Sequence, residues 1–323
     1  MITLHDNVNG QLIARPGPGP VNAQTVWIDL LNPTPEEDSL IEQAVGLNIP
    51  TRAETREIEA SSRIYQENGA HFMTAFVVYN IDAALPASST VTFILSGSRL
   101  ITVRYHELKA FPLFLARVEK GDATCTSAAA VMAGLIEALV HRSADLVERI
   151  QDEVEKTVQQ VFEIKGGQQT RGRRLDVLLR AAGRQGDINS RAQESAFSIE
   201  RVLTHFIHVL KEMGPEKALV PRIEIVRQDV HSLVEHMRFL SSRIDFLLDA
   251  TLGMINIEQN GIIKIFSVAS VALMPPTLIA SIYGMNFKHM PELVWPYGYP
   301  MAIGLMLVSA VVPFIYFRRK GWF

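Results

Sequence analysis

Two stretches near the end of the chain constrain its fold more than any other feature. Residues 261–283 carry one charge, Lys264, and residues 297–317 carry none. A helix needs about 20 predominantly apolar residues to cross the hydrocarbon core of a bilayer, and each stretch supplies that length. Only residues 284–296 lie between them, so the pair reads as a helical hairpin with a short connecting loop. Arg318, Arg319 and Lys320 follow the second stretch directly, whereas the connection offers only Lys288 and His289. Basic residues concentrate on the cytoplasmic side of a membrane. The C-terminus is therefore expected in the cytoplasm, and two crossings return residues 1 to about 255 to that same side.

Hydrophobic residues make up 48% of the chain and charged residues 20%, so soluble mass must accompany the hairpin. With 323 residues there is room for about two domains. A net charge of -3 gives no reason to expect a nucleic-acid partner. Cys125 is the only cysteine, which excludes an internal disulfide framework and any cysteine-based zinc site. Met1-Ile2-Thr3-Leu4-His5-Asp6 shows no basic segment followed by an apolar one, so no cleaved signal is expected.

Residues 1–125 read as an α/β domain. Val26 to Leu30 form a short strand candidate. Thr34-Pro35-Glu36-Glu37 then supplies an N-cap, a proline for the first turn and an acid three residues after the cap. Phe72 to Tyr79 is rich in strand formers, and Val91 to Leu95, Ser96-Gly97-Ser98 and Leu100 to Val103 read as a hairpin. This region shows no glycine-rich phosphate loop and no nucleophile–base constellation.

Residues 126–260 read as helical. Met132, Leu135, Leu139, Leu146, Ile150, Val154, Val158 and Val161 recur at helical steps over a segment from about Ser127 to Ile164, which Gly166-Gly167 ends. A second helix follows the basic run Arg171, Arg173 and Arg174 and reaches about Glu212, with breaks at Gly214-Pro215 and Pro221. Beyond Pro221, Leu233, Met237, Leu240, Ile244, Leu247, Thr251 and Met254 form a seam with alternating steps of four and three. No turn signal separates this seam from the first apolar stretch. A single stalk helix from about Arg222 to Tyr283, about 90 Å long at 1.5 Å per residue, is expected. The third region, 261–323, holds the hairpin and a basic-aromatic tail. The fold class is thus α+β, a cytoplasmic α/β domain and a stalk continuous with the first of two membrane helices.

Tyr283-Gly284-Met285-Asn286 stands where the first stretch leaves the membrane, followed by Met290-Pro291-Glu292-Leu293. A strongly hydrated cation retains much of its water shell when bound. Neutral oxygens hold that shell without the grip of a carboxylate, and conduction requires that the ion leave again. Asn286 offers an amide carbonyl, Gly284 lets main-chain carbonyls approach, and a helix C-terminus is the end of the dipole that favours a cation. The same residues also suit a plain glycine C-cap with asparagine in the turn. Along the first stretch, Asn260, Ile263, Ser267, Ser270, Met274, Thr277, Ser281 and Gly284 recur at three or four, a stripe of small, polar and apolar residues. The serines in it fit a pore wall or close helix packing equally well. Pro275-Pro276 is expected to kink the helix or tighten its turn.

With these motifs the chain resembles the CorA family of magnesium channels, whose hallmark is Gly-Met-Asn at this place followed by Met-Pro-Glu-Leu. The tail Arg318-Arg319-Lys320-Gly321-Trp322 and the early segments Ile49-Pro50-Thr51-Arg52 and Ile58-Glu59-Ala60-Ser61-Ser62-Arg63 extend the likeness. The resemblance implies a funnel-shaped homopentamer in the inner (plasma) membrane, with both termini cytoplasmic. It implies Mg²⁺, with Co²⁺ and Ni²⁺ as further candidates, as the transported and regulatory ion, and no other cofactor. It places Asn260, Met274, Thr277 and Asn286 on the pore, Asn286 facing the hydrated ion. It also matches Asp249 to an acid of the stalk that binds regulatory metal together with an acid of a neighbouring subunit. Asp82 lies in the region of that second acid, but Ser88-Ser89-Thr90 stand where acids are expected. An exposed helical aspartate is otherwise simply solvated.

Two other readings compete. A zinc transporter of the same superfamily, proton-coupled or not, is one. His205 and His208, and His231 with Glu235, have single-face spacings but are incomplete zinc sites, and His289 in the loop suits a softer ion. Zinc-type relatives tend to vary the residue between Gly284 and Asn286, so by resemblance Met285 favours magnesium. The other is a membrane-anchored metal sensor that does not conduct, which a stripe of bulky residues would favour.

Overall fold

Val26 to Leu30 and the other strand-forming runs assemble, in a computed structural model of the chain, into one seven-stranded sheet. The structure describes residues 1–8, 10–57, 59, 63–83, 86–121, 125–162, 168–286 and 290–322, with the backbone alone at 168–173, 215 and 293. Ile58, Ala60 to Ser62, Ile164, Gly166-Gly167 and Phe287 to His289 lie outside the described residues, and with them those parts of the expectations above.

The strands are β1 (Ile2–Val8), β2 (Gln11–Pro16), β3 (Thr25–Leu31), β4 (Ile64–Glu67), β5 (Ala70–Tyr79), β6 (Ala87–Ser96) and β7 (Arg99–Arg104). Their order in the sheet is β2-β1-β3-β7-β6-β5-β4. All neighbours run antiparallel except β3 and β7 at the centre, which are parallel with Ile28 opposite Ile101. The β6–β7 hairpin turns at Gly97, whose φ of 54° few side chains tolerate. Helix α1 (Pro35–Val45) begins with the expected capping box: Thr34 accepts from the Glu37 amide and Glu37 returns the bond to the Thr34 amide. The strands β1, β2 and β4 carry too few apolar residues at period two to announce themselves.

Both faces of the sheet are covered, which is why its central strands read as nearly unbroken apolar runs. Trp27, Met73, Val91, Phe93 and Leu100 face one core, shared with α2 (Ala110–Glu119), α3 (Ala128–Phe162), α4 (Gln168–Glu212) and α5 (Val220–Tyr283). Ile28, Phe72, Ile94 and Ile101 face the other, under α1. Of the apolar positions expected on α3, all but half-buried Val158 are buried. α4 starts at Gln168 and includes the basic run rather than following it. Pro221 does not break the chain. It sits in the first turn of α5, where its missing N–H would have had no helical partner.

Polar contacts fix the helices in place. Ser195 and Ser198 of α4 satisfy the main chain of Phe76, the one donating to its carbonyl (2.9 Å) and the other accepting its amide (2.8 Å). β4 is too short to pair with that part of β5, so the two hydroxyls complete the edge. Arg222 at the start of α5 holds Glu137 of α3 through two bonds of 2.6 and 2.7 Å. Asn189 of α4 donates to the Met237 carbonyl and the Ser241 hydroxyl of α5. From Met237 through Leu240, Ile244 and Leu247 to Thr251 the expected seam is buried, and its end members Leu233 and Met254 are half-buried.

His5 is buried against Trp27, the two rings stacked nearly parallel with centroids 4.1 Å apart, and its Nδ1 has no hydrogen-bond partner. Burial pushes its pKa down to about 4. The unfolded chain therefore takes up a proton near pH 6.5 that the native state refuses until about pH 4, and stability falls as pH drops through that window. The loss is about 3 kcal/mol at most, from about 1.4 kcal/mol per pKa unit. Thermal unfolding of the wild type and His5→Phe in detergent, from pH 7.5 to 4.5, is expected to show a shallower acid-side loss in the variant. Parallel curves would refute the assignment.

The chain divides into two compact units, Met1–Phe162 with Arg180–Leu248, and Glu163–Leu179 with Asp249–Phe323.

Candidate functional site

The second unit carries the end of α5, a single helical turn Pro291–Val294, and α6 (Gly298–Arg319). The most apolar windows of α5 and α6 are each only 6% buried. A core helix of a soluble protein would be mostly buried, so length, apolar composition and exposure together suit two membrane helices.

Each end of the hairpin is marked by aromatic rings. At one end Lys264, the only charge of the first stretch, lies 5.8 Å from the Trp322 ring, which Lys320 also approaches. At the other stand Tyr283, Trp295, Tyr297 and Tyr299, with Trp295 and Tyr297 edge to face at 5.9 Å. Such rings and snorkelling lysines mark membrane–water boundaries. From Lys264 to Tyr283 the helix rises about 29 Å at 1.5 Å per residue, the thickness of a hydrocarbon core.

Helix α5 ends on a tightened turn. The Gly284 amide bonds to the Ala280 carbonyl (3.0 Å) and the Met285 amide to that of Ile282 (3.2 Å). Gly284 is not left-handed, so the simple glycine C-cap is not formed. Its role is spatial: a Cβ there would stand 3.1 Å from the Ala280 carbonyl oxygen. Met285 and Asn286 follow, both exposed. Gly298, where α6 starts, is more tightly constrained. A Cβ there would lie far inside the Glu292 carbonyl, a backbone atom that cannot swing away. Gly298→Ala is expected to displace the loop and cost about 1–3 kcal/mol, read as a lower melting temperature in detergent. A variant as stable as the wild type would refute this.

Asn260, Ile263, Ser270, Met274, Thr277 and Ser281 are exposed in the single chain and Ser267 is half-buried. Each hydroxyl in the stripe donates to the carbonyl four residues back: Ser267 to Ile263, Ser270 to Phe266, Thr277 to Leu273 and Ser281 to Thr277, at 2.8–2.9 Å. The proton is thereby committed, and what each hydroxyl presents outward is an acceptor oxygen. A hydrated cation turns its water hydrogens outward, so it needs acceptors around it. Pro275 and Pro276 lie within an unbroken helix and remove the amides that would bond to the carbonyls of Val271 and Ala272. These freed carbonyls are acceptors that the pattern of side chains did not reveal.

Asp249 is exposed on α5. Asp82, in the other unit, is already neutralised by Lys109 Nζ at 2.6 Å and Arg142 at 3.3 Å, and the Lys109 bond holds its carboxyl below the ordinary carboxylate range. Ser88, Ser89 and Thr90 lie within β6, Thr90 buried against Thr55.

Residues 22–319 match the family model described as CorA-like Mg2+ transporter protein. The chain belongs to the CorA family. A magnesium transport protein CorA from Yersinia pseudotuberculosis is 37% identical over 301 residues, 93% of this chain and 92% of the relative. The CorA of Escherichia coli K12 is 36% identical over 302 residues, 94% and 92% of the two chains. Among solved structures, the complete CorA magnesium transporter of Methanocaldococcus jannaschii superimposes with a TM-score of 0.77 at 17% identity, over 100% of this chain and 99% of that one. The CorA fold thus accounts for the N-terminal α/β part, the long helix and both apolar C-terminal helices.

Proposed function

We propose that the chain is the subunit of a Mg²⁺ channel, with a pore lined by the first apolar helix and a selectivity turn at Gly284, Met285 and Asn286. Membership of a magnesium-transporter family over nearly the whole length of the chain carries this reading. The acceptor stripe supports it, because it suits an ion that keeps its water. Asn260, Ile263, Ser267, Met274, Thr277 and Ser281 face the ion path, and the Asn286 amide oxygen receives the hydrated ion at its mouth. A seven-residue recurrence on a straight helix drifts around its axis, so helices supercoil slightly to keep such a stripe inward. Five copies around the axis give a closed ring with α6 outside against lipid. The pore crosses the inner membrane with both termini in the cytoplasm.

Co²⁺ and Ni²⁺, hydrated dications of similar size, enter by the same route. Asp249 serves as the regulatory acid of the stalk. Asp82, the candidate for its partner acid, is exposed and paired with Lys109 and Arg142, which a metal would exchange for itself.

The test is Mg²⁺ entry into liposomes holding the purified protein, with a trapped Mg²⁺-sensitive dye and a negative-inside potential. Entry that Co²⁺ and Ni²⁺ inhibit is expected. Zn²⁺ entry driven by a proton gradient, without Mg²⁺ entry, would overturn the reading in favour of a zinc transporter. No flux of either ion through folded protein would leave a sensor.

A further inference from the structure

The fold brings His71 of β5 beside His205 and His208 of α4, a grouping that the sequence spacing of the latter two leaves incomplete. The His71 and His205 rings lie 5.5 Å apart, inclined by 56°, and the His205 and His208 rings 6.4 Å apart. Two imidazoles on one tetrahedral ion, with metal–nitrogen bonds of about 2.0 Å, have ring centres about 5 Å apart. The nitrogens His71 Nδ1 and His205 Nε2 are buried and have no hydrogen-bond partner. An unpaired buried polar atom is costly unless something binds it. His208 is exposed, and its Nε2 stands 3.3 Å from the Glu212 carboxylate, leaving Nδ1 open. A carboxylate behind a histidine is the arrangement that orients a metal ligand and raises its basicity.

We propose that His71 Nδ1, His205 Nε2 and His208 Nδ1 bind one transition-metal dication, of the Co²⁺, Ni²⁺ and Zn²⁺ class, with Glu212 orienting His208. Among the described residues no three such side chains already stand in ligating arrangement. A shift of the exposed His208 and Glu212 side chains together, with Nε2 kept on the carboxylate, and a small adjustment of the other two rings completes the set. Nitrogen donors discriminate against Mg²⁺, which prefers oxygen. The site therefore reads a different class of ion from the pore, and it ties β5 to α4 within one unit.

The experiment is a Co²⁺ titration of the full-length, tag-free protein in detergent, followed by visible absorption, because tetrahedral Co²⁺ absorbs far more strongly than the hydrated ion. One equivalent per chain is expected, displaced by Zn²⁺ and indifferent to excess Mg²⁺. His208→Ala, at an exposed position that leaves the fold intact, is expected to weaken binding at least tenfold, and Glu212→Gln about tenfold. His71→Ala and His205→Ala are expected to abolish the band. Absence of the band in the wild type, or an unchanged affinity in His208→Ala, would overturn the site. The readout is binding, so its failure is distinct from a failure of Mg²⁺ transport.

Discussion

Mg²⁺ entry into proteoliposomes is expected to fall about 100-fold when Asn286 is replaced by alanine, with the protein still folded and assembled. Asn286 is exposed just beyond the tightened end of α5, so its side chain supports no core. What alanine removes is a neutral acceptor at the partially negative end of a helix. Hydrogen bonds to charged partners contribute about 1.5–3 kcal/mol each. In the proposed channel an ion at the mouth of the ring loses one from every subunit at once, and about 2.7 kcal/mol already amounts to 100-fold. Asn286→Asp is the informative companion. A ring of carboxylates holds the ion more tightly but releases it slowly, so binding is expected to strengthen while flux falls. Wild-type flux in the alanine variant, at equal protein per liposome, would remove Asn286 from the ion path.

Asp29→Ala is expected to lower the stability of the sheet unit by about 3–5 kcal/mol, the range for stripping one partner from a buried ion pair. Asp29 sits on β3 at the parallel junction with β7 and is almost fully buried. It accepts three bonds from Arg104 at 2.7–3.2 Å and one from Thr102 at 2.8 Å, and Thr102 in turn accepts from the Trp27 indole at 2.9 Å. The Arg104 guanidinium also lies 4.4 Å from the Phe111 ring centre. Removing the carboxylate leaves a buried cation with an aromatic face and one bond to the His106 carbonyl. Asp29→Asn keeps an acceptor for Thr102 and is expected to cost less. Thermal unfolding in detergent measures both, and a melting temperature within a degree of wild type for Asp29→Ala would refute the argument.

The signals that were legible were local. The capping box around Thr34, the β6–β7 hairpin, the seam from Met237 to Thr251 and the uninterrupted run into the first apolar stretch depend on neighbours in the chain. The hairpin of membrane helices was equally plain, because solvation by lipid demands a continuous apolar length. The turn at Gly284 was visible as a motif, but its conformation was not, since a glycine is compatible with a left-handed cap and with close approach alike. Pro221 was misread as a breaker because a proline is neutral in a first turn and disruptive elsewhere, and the start of the helix decides which applies.

By itself the sequence determined the α+β class, the two membrane helices and the Gly-Met-Asn turn between them, because backbone geometry and lipid solvation act on short windows. Tertiary structure alone decided which distant side chains meet. It set Asp82 between Lys109 and Arg142, joined Trp27, Thr102, Asp29 and Arg104 into one buried chain of bonds, and put His71 beside His205. These pairings follow from sheet order and helix docking, which arise from burying two apolar faces at once and leave no trace in the spacing of the residues they unite.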